Sequence, residues 1–270
     1  MKLAFIGGGN MAAALIGGMV KQGIAARDIE VAEINPERRD WLRQQFGVNV
    51  GEHIADIKAA DVIVLAVKPQ QMQEVLRELP ALRLTQLVLS IAAGIRAMDV
   101  ARWLRGHPAV VRAMPNTPSL VGAGIAGLYA LKQVNQAQRD AAQWAMETVG
   151  SVVWVDTEAQ IDAVTAISGS GPAYVFYFIE ALEQAAAELG LPPLAARRLV
   201  LHTFHGAARL AMSETVSPAE LRARVTSKGG TTEQGLLALE QAGVRQAIGR
   251  AAAAAAKRAR EMGELFGGEQ

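Results

Sequence analysis

Cysteine is absent from the 270 residues of the chain. This absence excludes disulfides, thiolate metal sites, iron–sulfur clusters and a cysteine nucleophile. No apolar run reaches the about 18 residues that a membrane-spanning helix needs, so no membrane partner is expected. The first apolar stretch, Leu3–Gly7, is also too short for a secretion signal. The expected location is therefore the cytoplasm.

A surplus of charge of one sign is also missing, because 27 Lys and Arg residues stand against 26 Asp and Glu residues. A nucleic-acid-binding protein shows a clustered basic surplus, so no nucleic-acid partner is expected. His202 and His205 lie three residues apart, but no third ligand accompanies them, and no metal is expected. No Ser–His–Asp order or paired-carboxylate motif occurs, which leaves hydrolase chemistry without a site.

Hydrophobic residues make up 51% of the chain, which is enough for a large core. At about 150 residues per domain, the length favours two domains. In residues 1–157, short apolar runs rich in β-branched residues alternate with helical stretches, which predicts a Rossmann-type, doubly wound parallel sheet with helices on both faces. The predicted strands are Leu3–Gly7, Ile29–Ile34, Val62–Val67, Leu87–Ala92, Ala109–Met114 and Val152–Val155.

The strand signal disappears after residue 157, and residues 158–270 are predicted to form a second, all-helical domain. The predicted helices cover approximately residues 158–167, 172–189, 193–213, 217–225, 231–242 and 244–265. The segment Tyr174–Ala187 is mostly apolar on every side, so it is not expected to face solvent. An oligomer interface between helical domains follows as a prediction.

A glycine-rich motif, Gly7-Gly8-Gly9-Asn10-Met11-Ala12, follows the first predicted strand and opens a predicted helix. It fits the G-x-G-x-x-A fingerprint of dinucleotide binding in the context that this fingerprint requires. Gly7 permits the tight turn, Gly9 lets a pyrophosphate approach the backbone, and the helix N-terminus supplies N–H donors. The alternative is an ordinary glycine-rich turn between a strand and a helix.

The end of the second predicted strand carries conflicting signals about the cofactor. Glu33 is the acid that an NAD site places on the ribose hydroxyls, and its charge repels the 2′-phosphate of NADP. Asn35, Arg38 and Arg39 follow and suit a 2′-phosphate, although two arginines here also fit the solvated start of a helix. The balance leans slightly towards NADP, and both NADPH and NADH stay open.

Three further segments end predicted strands: Ala66–Pro69, Ser90–Gly94 and Arg112–Pro118. Ligands of doubly wound sheets bind at the carboxyl ends of the strands, so these segments are candidate cofactor contacts. In the helical part, Ser168–Tyr174 joins two predicted helices through small residues. Val225–Thr232 places hydroxyl and N–H donors before a helix, which suits a carboxylate, although a simple N-cap and loop has the same pattern.

Six motifs, in their order and spacing, resemble those of the pyrroline-5-carboxylate reductases, and the resemblance spans essentially the whole chain. The motifs begin at Phe5, Ala66, Ser90, Arg112, Ser168 and Thr226 and read FIGGGNM, AVKP, SIAAG, RAMPNTP, SGSGPAY and TSKGGTT. The resemblance implies the last step of proline biosynthesis, in which NADPH or NADH delivers a hydride to C5 of the cyclic imine 1-pyrroline-5-carboxylate. It also implies that the helical domains pair as a dimer that can assemble further.

The resemblance assigns cofactor contacts motif by motif. It places the pyrophosphate on Gly7, Gly8, Gly9, Asn10 and Met11, the adenosine ribose on Glu33 to Asn35, the adenine beside His53, and the nicotinamide half on Ala66, Val67, Lys68 and Pro69 with Ala92, Ala93 and Gly94. Asn116, which lies in the motif that begins at Arg112, is expected to be a further cofactor contact.

The resemblance also assigns the substrate loop. The substrate carboxylate is expected on Ser227, Gly229, Gly230, Thr231 and Thr232, with Thr232 nearest the imine nitrogen as the catalytic residue. Two residues depart from the family pattern. Lys228 stands where many relatives have Pro, and Arg224 stands where Asn is frequent, which leaves the details of the loop open.

Two alternatives remain. One is another imine reductase or a β-hydroxyacid reductase of the same architecture. β-Hydroxyacid dehydrogenases carry Lys and Asn at positions where this chain has Val175 and Phe178. The chain therefore lacks the lysine that would transfer a proton in the oxidation of an alcohol. The other is a non-catalytic protein that only senses the dinucleotide. A sensor does not need the anion-binding pattern of Thr226–Thr232.

Overall fold

The computed structural model describes residues 1–53 and 57–268. The chain forms two compact units. The first unit comprises Met1–Ser170 together with the chain from Ala254 onward, and the second comprises Gly171–Ala253. The first unit extends past residue 157 because the helix that starts at Glu158 packs on the sheet: Val164 lies against Gly127. The functional division into residues 1–157 and 158–270 stays a prediction.

One eight-stranded sheet forms the centre of the first unit. Its strands are β1 (Leu3–Ile6), β2 (Ile29–Ala32), β3 (Asn49–Gly51), β4 (Val62–Leu65), β5 (Leu87–Ser90), β6 (Val110–Met114), β7 (Gly124–Ala130) and β8 (Gly150–Trp154). The spatial order is β3-β2-β1-β4-β5-β6-β7-β8, and every neighbouring pair is parallel except β6 and β7. The first six positions have the Rossmann order, so the predicted fold class is confirmed.

The sequence predicts six of these eight strands at nearly the observed positions. It misses β3 and β7. Strands β1, β4 and β5 are buried along their whole length, as their unbroken apolar character predicts. The chain order reverses direction between β1 and β4, and this is the point where doubly wound sheets bind their ligands.

Six helices belong wholly to the first unit: α1 (Asn10–Lys21), α2 (Pro36–Phe46), α3 (Pro69–Glu78), α4 (Ala97–Trp103), α5 (Gln136–Glu147) and α6 (Glu158–Val164). Their ends follow local sequence rules. Asn35 caps α2 by accepting a hydrogen bond from the Arg38 N–H, and Gly47 ends it with a φ of 70°. A single π-helical turn, Thr165–Gly169, follows α6.

The second unit is entirely helical. It contains α7 (Gly171–Glu188), α8 (Pro193–Ser213), α9 (Pro218–Arg224) and α10 (Thr231–Gln241), and α11 (Val244–Gly267) begins in it and ends in the first unit. These bounds confirm the predicted helices to within a few residues. None of the helices in the described part of the chain combines the length and hydropathy that a bilayer crossing requires.

Large apolar side chains of the second unit face solvent in the single chain. On α7, Phe176 and Tyr177 are 63% and 71% exposed, and on α8 Leu194 and Leu199 are 85% and 56% exposed. Exposed apolar surface of this extent marks an interaction surface.

Candidate active site

The turn after β1 requires glycine for steric reasons at its first two positions. Gly7 has a φ of 100°, and a Cβ there would lie 2.8 Å from the backbone carbonyl carbon of Ala66. A Cβ on Gly8 would lie 2.5 Å from Leu42 Cδ1. The turn therefore packs closely against the end of β4 at Gly7 and against α2 at Gly8.

Gly9 has a different environment. A Cβ placed on Gly9 would meet no atom within 4 Å. Gly9 is also the N-cap of α1 and supplies no side chain to the helix. The first N–H groups of a helix have no partner within the helix and carry partial positive charge. This open backbone face is suited to an anion such as a pyrophosphate.

Glu33 links the end of β2 to the glycine turn. One carboxylate oxygen accepts a hydrogen bond from the Gly8 N–H at 2.9 Å, and the other accepts one from the Asn35 N–H at 2.9 Å. The carboxylate is half-buried and lies at the carboxyl end of the strand, where a ribose acid is expected. Both of its oxygens are thus already engaged with the backbone.

Arg38 and Arg39 contact main-chain oxygens around the same turn. Arg38 Nε donates to the Gly8 carbonyl at 2.7 Å, and its guanidinium stacks on the Trp41 ring at 4.1 Å. Arg39 Nη1 donates to the carbonyls of Glu33 and Ile34 at 2.8 and 3.0 Å. The two arginines therefore place positive charge beside Glu33, and each also holds the turn in place.

A cavity of about 810 Å³ opens at these strand ends. Its lining contains many of the predicted cofactor residues: Gly7, Gly9, Glu33, Asn35, His53, Ala66, Val67 and Lys68. Gly8, Asn10, Met11, Pro69, Ala92, Ala93, Gly94 and Asn116 do not belong to this lining, and their assignments stay predictions. The cavity has the volume of a small-molecule or cofactor site.

Part of the cavity lining is not predicted by the sequence patterns. It includes Glu52 and Ile57 together with residues of α3 and its C-terminal end, namely Gln71, Val75, Glu78, Leu79 and Pro80. Positions 71, 75, 78 and 79 are spaced as one face of a helix. The sequence shows this spacing, which indicates that the four positions share one face of α3.

The segments after β4 and β5 have well-defined backbone geometry. Lys68 precedes α3 in an extended conformation, and Pro69 occupies its first turn. Gly94 has a φ of 73°, and a Cβ there would lie 2.8 Å from Cβ of Met262 on α11. The structure thus shows a packing reason for glycine at position 94, in addition to the predicted contact with the cofactor.

Asn116 has a visible structural contact. Its side-chain oxygen accepts a hydrogen bond from the Ile125 N–H at 2.9 Å, which fixes the start of β7 beside the end of β6. The side chain is buried. The predicted cofactor contact of Asn116 is untested.

A buried ionic cluster lies beside the end of β6 and was also missed at the sequence level. Arg112, whose side chain is 3% exposed, pairs with Glu158 at 3.3 Å and with Asp162 at 3.4 Å. Glu158 also accepts a hydrogen bond from the Ala97 N–H at 2.6 Å, at the N-terminus of α4. The cluster joins β6, α4 and α6, and it thereby holds the chain that follows Gly94.

The predicted substrate loop lies in the second unit. The loop turns at Gly229, which has a φ of 73°, and α10 begins at Thr231 with Gly230 as an N-cap that has no side chain. A Cβ on Gly230 would lie 2.5 Å from Ser227 Oγ. Thr231 and Thr232 are exposed in the first turn of α10. The arrangement presents hydroxyl groups and helix N–H donors together, which suits a carboxylate.

Three other side chains of this region have defined partners. The Gly229 N–H donates to the carboxylate of Glu233 at 2.7 Å, a contact that the sequence pattern does not predict. Thr226 Oγ1 donates to the Arg222 carbonyl at 2.6 Å, so this hydroxyl is directed towards α9. Arg224 pairs with Glu214 at 3.7 Å. Lys228 is exposed.

Comparisons with known proteins agree with this architecture. Residues 158–262 match the family model described as pyrroline-5-carboxylate reductase dimerisation, and residues 2–94 match the model described as NADP oxidoreductase coenzyme F420-dependent. The pyrroline-5-carboxylate reductase of Pseudomonas aeruginosa is 47% identical over 268 residues, which cover 98% of each chain.

Two solved structures extend the similarity to the fold. A pyrroline-5-carboxylate reductase from Coxiella burnetii is 40% identical, with a TM-score of 0.89 over 97% of this chain and 98% of the other. The pyrroline carboxylate reductase of Plasmodium falciparum, solved with NADP bound, is 29% identical, with a TM-score of 0.85 over 98% of each chain. On this sequence identity, coverage and shared fold, the chain belongs to the pyrroline-5-carboxylate reductase family.

Proposed function

We propose that the protein reduces 1-pyrroline-5-carboxylate to L-proline with NADPH or NADH, the last step of proline biosynthesis. The observation that carries the proposal is the open backbone face of Gly9 at the N-terminus of α1, beside a cavity of about 810 Å³ at the carboxyl ends of β1, β2 and β4. The family of the chain gives the reaction, and the relative from Plasmodium falciparum supports NADP as a cofactor.

The residues of the first unit fit a dinucleotide. The Gly7–Met11 turn would hold the pyrophosphate, Glu33 to Asn35 the adenosine ribose, and His53 the adenine side. Ala66 to Pro69 and Ala92 to Gly94 would contact the nicotinamide half, and Asn116 would be a further cofactor contact. When bound, the reduced cofactor supplies a hydride to C5 of the imine. Lys68 is the one Lys or Arg among the described residues of the lining, which also contains Glu33, Glu52 and Glu78, so phosphate groups would rely on Lys68 together with the N–H donors at the start of α1.

The substrate would be held by Ser227, Gly229, Gly230, Thr231 and Thr232. Exposed hydroxyl groups and helix N–H donors at Thr231 and Thr232 would bind its carboxylate. At Gly229 the substrate would replace the Glu233 carboxylate, which accepts a hydrogen bond from the Gly229 N–H. Thr232 would donate a hydrogen bond that orients the ring nitrogen. A protonated iminium carbon is already electrophilic, so the chain is required chiefly to align it, through proximity and preorganised hydrogen bonds.

Self-association through the helical unit is part of the proposal. The exposed apolar side chains of α7 and α8 would be covered in a homodimer, the assembly that the name of the matching family model denotes. Assembly beyond a dimer and the cytoplasmic location stay predictions from the sequence.

The test is the absorbance of the reduced nicotinamide band with the purified protein, with and without 1-pyrroline-5-carboxylate. Imine-dependent oxidation of NADPH or NADH, with proline as the product, is expected. Bound cofactor without imine-dependent oxidation would favour a dinucleotide sensor. Oxidation that depends only on a different imine or on a keto acid would favour another reductase of the same architecture.

A further inference from the structure

Arg105 has an unusual backbone conformation. Its φ is 58°, and it is the one non-glycine residue with positive φ within residues 1–53 and 57–268. Left-handed backbone is unfavourable for a residue with a Cβ, and helix ends of this type usually carry glycine. Here the conformation directly follows α4, with Gly106 as the next left-handed residue. An arginine at this position calls for a compensating interaction of its side chain.

The side chain of Arg105 makes that interaction at the end of a different helix. Its Nη1 donates to the Leu79 carbonyl at 2.7 Å, and its Nη2 donates to the Arg77 carbonyl at 3.0 Å. Both oxygens lie at the C-terminal end of α3. One guanidinium group thus binds two main-chain oxygens of one helix end.

The main-chain carbonyls at the C-terminal end of α3 lack donors from the chain that directly follows the helix. Leu79 leaves the helix in an extended conformation, with φ −63° and ψ 141°, so the chain does not turn back to cap it. Pro80 follows and has no N–H to donate. The last carbonyls of a helix lack partners within the helix and carry partial negative charge. The positive guanidinium of Arg105 therefore complements this helix end in both hydrogen bonding and charge.

This helix end is also a wall of the cavity. Val75, Glu78, Leu79 and Pro80 all line it, together with Glu33, Asn35 and His53, the residues proposed for the adenosine half of the cofactor. Leu79 both lines the cavity and offers its carbonyl to Arg105. A shift of the last turn of α3 would therefore change the shape of the cavity.

We propose that Arg105 is a positioning residue for the adenosine half of the cofactor. By fixing the last turn of α3, its guanidinium sets the wall against which the adenosine packs. The proposal rests on the assignment of the cavity to NADPH or NADH under the proposed function. Arg105 itself does not line the cavity, so its effect acts through Leu79 and its neighbours.

The test compares cofactor fragments. Arg105→Gly removes both hydrogen bonds and releases the left-handed backbone, so the fold is expected to persist. Titration calorimetry with the full chain should show Kd for NADPH and for 2′-phosphoadenosine diphosphoribose raised by the same factor, about fivefold to twentyfold. With the imine, KM for NADPH should rise while kcat at saturating NADPH stays within about twofold.

Three further variants separate positioning from loss of charge. Arg105→Lys keeps a donor and should recover part of the affinity. Arg77→Ala removes one positive charge from the same turn of α3 but leaves both carbonyls bound to Arg105, so its Kd values should match those of the parent. Arg105→Asn tolerates the left-handed backbone but cannot reach α3, and it should bind like Arg105→Gly.

Unchanged Kd values for both adenosine ligands in Arg105→Gly and Arg105→Asn would overturn the proposal. It would also be overturned if reduced nicotinamide mononucleotide, which lacks the adenosine half, lost affinity or turnover by the same factor. The calorimetric part does not depend on turnover. If the parent protein bound NADPH but did not reduce the imine, the proposed function would fail while this test would remain interpretable.

Discussion

The carboxylate of Glu33 accepts a hydrogen bond from the Gly8 N–H at 2.9 Å. The residue proposed to face the ribose is therefore also a support for the turn proposed to hold the pyrophosphate. A substitution of Glu33 is expected to act on cofactor choice and on turn geometry together, and the two effects must be separated by the choice of variant.

Glu33→Gln should shift cofactor use towards NADPH. The amide keeps one acceptor oxygen for the turn but removes the negative charge beside the 2′-phosphate. Relief of about 1 kcal/mol of repulsion corresponds to roughly a fivefold change in the ratio of kcat/KM for NADPH to that for NADH. Glu33→Ser should shift the ratio in the same direction but lower both kcat/KM values further, because the Gly8 contact is lost. An unchanged ratio in both variants would mean that Glu33 does not face the 2′ position.

Gly9→Val should abolish tight cofactor binding without unfolding the chain. Its backbone φ is −64°, and a Cβ there meets no atom, so valine is accommodated but occupies the space of the pyrophosphate. Kd for NADPH should rise at least about tenfold, while the thermal midpoint should fall by no more than a few degrees, about 2–4 °C, because valine is a poorer N-cap than glycine.

Gly7→Ala is the comparison variant for Gly9→Val within the same turn. Its Cβ would collide with the backbone of Ala66, and the φ of 100° is unfavourable for alanine. The free energy of unfolding in urea should fall by roughly 2–3 kcal/mol. If Gly9→Val were the less stable of the two variants, the open face assigned to Gly9 would be wrong.

Thr232→Ala should lower kcat/KM for the imine by roughly tenfold to a few hundredfold, the loss of one oriented hydrogen bond, with little change in the affinity for NADPH. Because Thr232 is proposed to orient the nitrogen without an obligatory proton transfer, a residual rate should survive. Thr226→Ala is the control, since its hydroxyl already donates to the Arg222 carbonyl, and its kcat/KM should stay near that of the parent. Complete inactivation of folded Thr232→Ala, or parental kinetics, would contradict this role.

Arg112→Met should destabilise the first unit strongly. Glu158 and Asp162 would lose the cation that both contact, in a poorly solvated site. Removal of one partner from a buried ionic cluster costs about 3–5 kcal/mol. Glu158→Gln keeps an acceptor for the Ala97 N–H and should cost only about 1–2 kcal/mol. Urea denaturation of both variants measures the difference, and a loss in Arg112→Met no larger than that in Glu158→Gln would contradict the role of Arg112 as the cation shared by two carboxylates.

The protein should be less stable in mild acid than at neutral pH because of the titration of His107. Burial lowers the pKa of His107, and the hydrogen bond to the Gln86 carbonyl opposes this shift only in part. The unfolded chain therefore binds a proton at a higher pH than the folded chain does. The free energy of unfolding should fall as the pH drops below the unfolded histidine pKa of about 6.5.

His107→Gln provides the comparison, because an amide still donates to the Gln86 carbonyl but does not titrate. The stability difference between parent and variant should move against the parent between about pH 7.5 and 5.5. Parallel pH profiles would exclude His107 as the source.

The sequence predicted the parts of this structure that depend on local patterns. The apolar run of β4 and the Gly7–Ala12 turn both follow rules of short range. Strand β7 was missed because it contains glycines, which disfavour strands. The structure shows why Gly127 is there: a Cβ would lie 2.6 Å from Val164 on α6, a contact that only the tertiary fold defines.

The residues of the candidate site also fall into two groups, those that a local sequence pattern predicts and those that depend on tertiary contacts. That Gly7, Gly9 and Glu33 share one site was predictable, because all three lie at the carboxyl ends of strands. The wall formed by Val75 and Leu79 depends on how α3 packs, and Arg105 depends on a contact 26 residues away in sequence. Such side-chain contacts between distant elements have no local signature.

The most direct test of the central claim is the transfer of label from the cofactor to the product. The parent protein is incubated with 1-pyrroline-5-carboxylate and NADPH that carries deuterium at the hydride position of the nicotinamide, and the proline is analysed by mass spectrometry and NMR. One deuterium at C5 of proline for each cofactor oxidised is the predicted result. Proline without deuterium at C5, or cofactor oxidation that does not depend on the imine, would contradict the account.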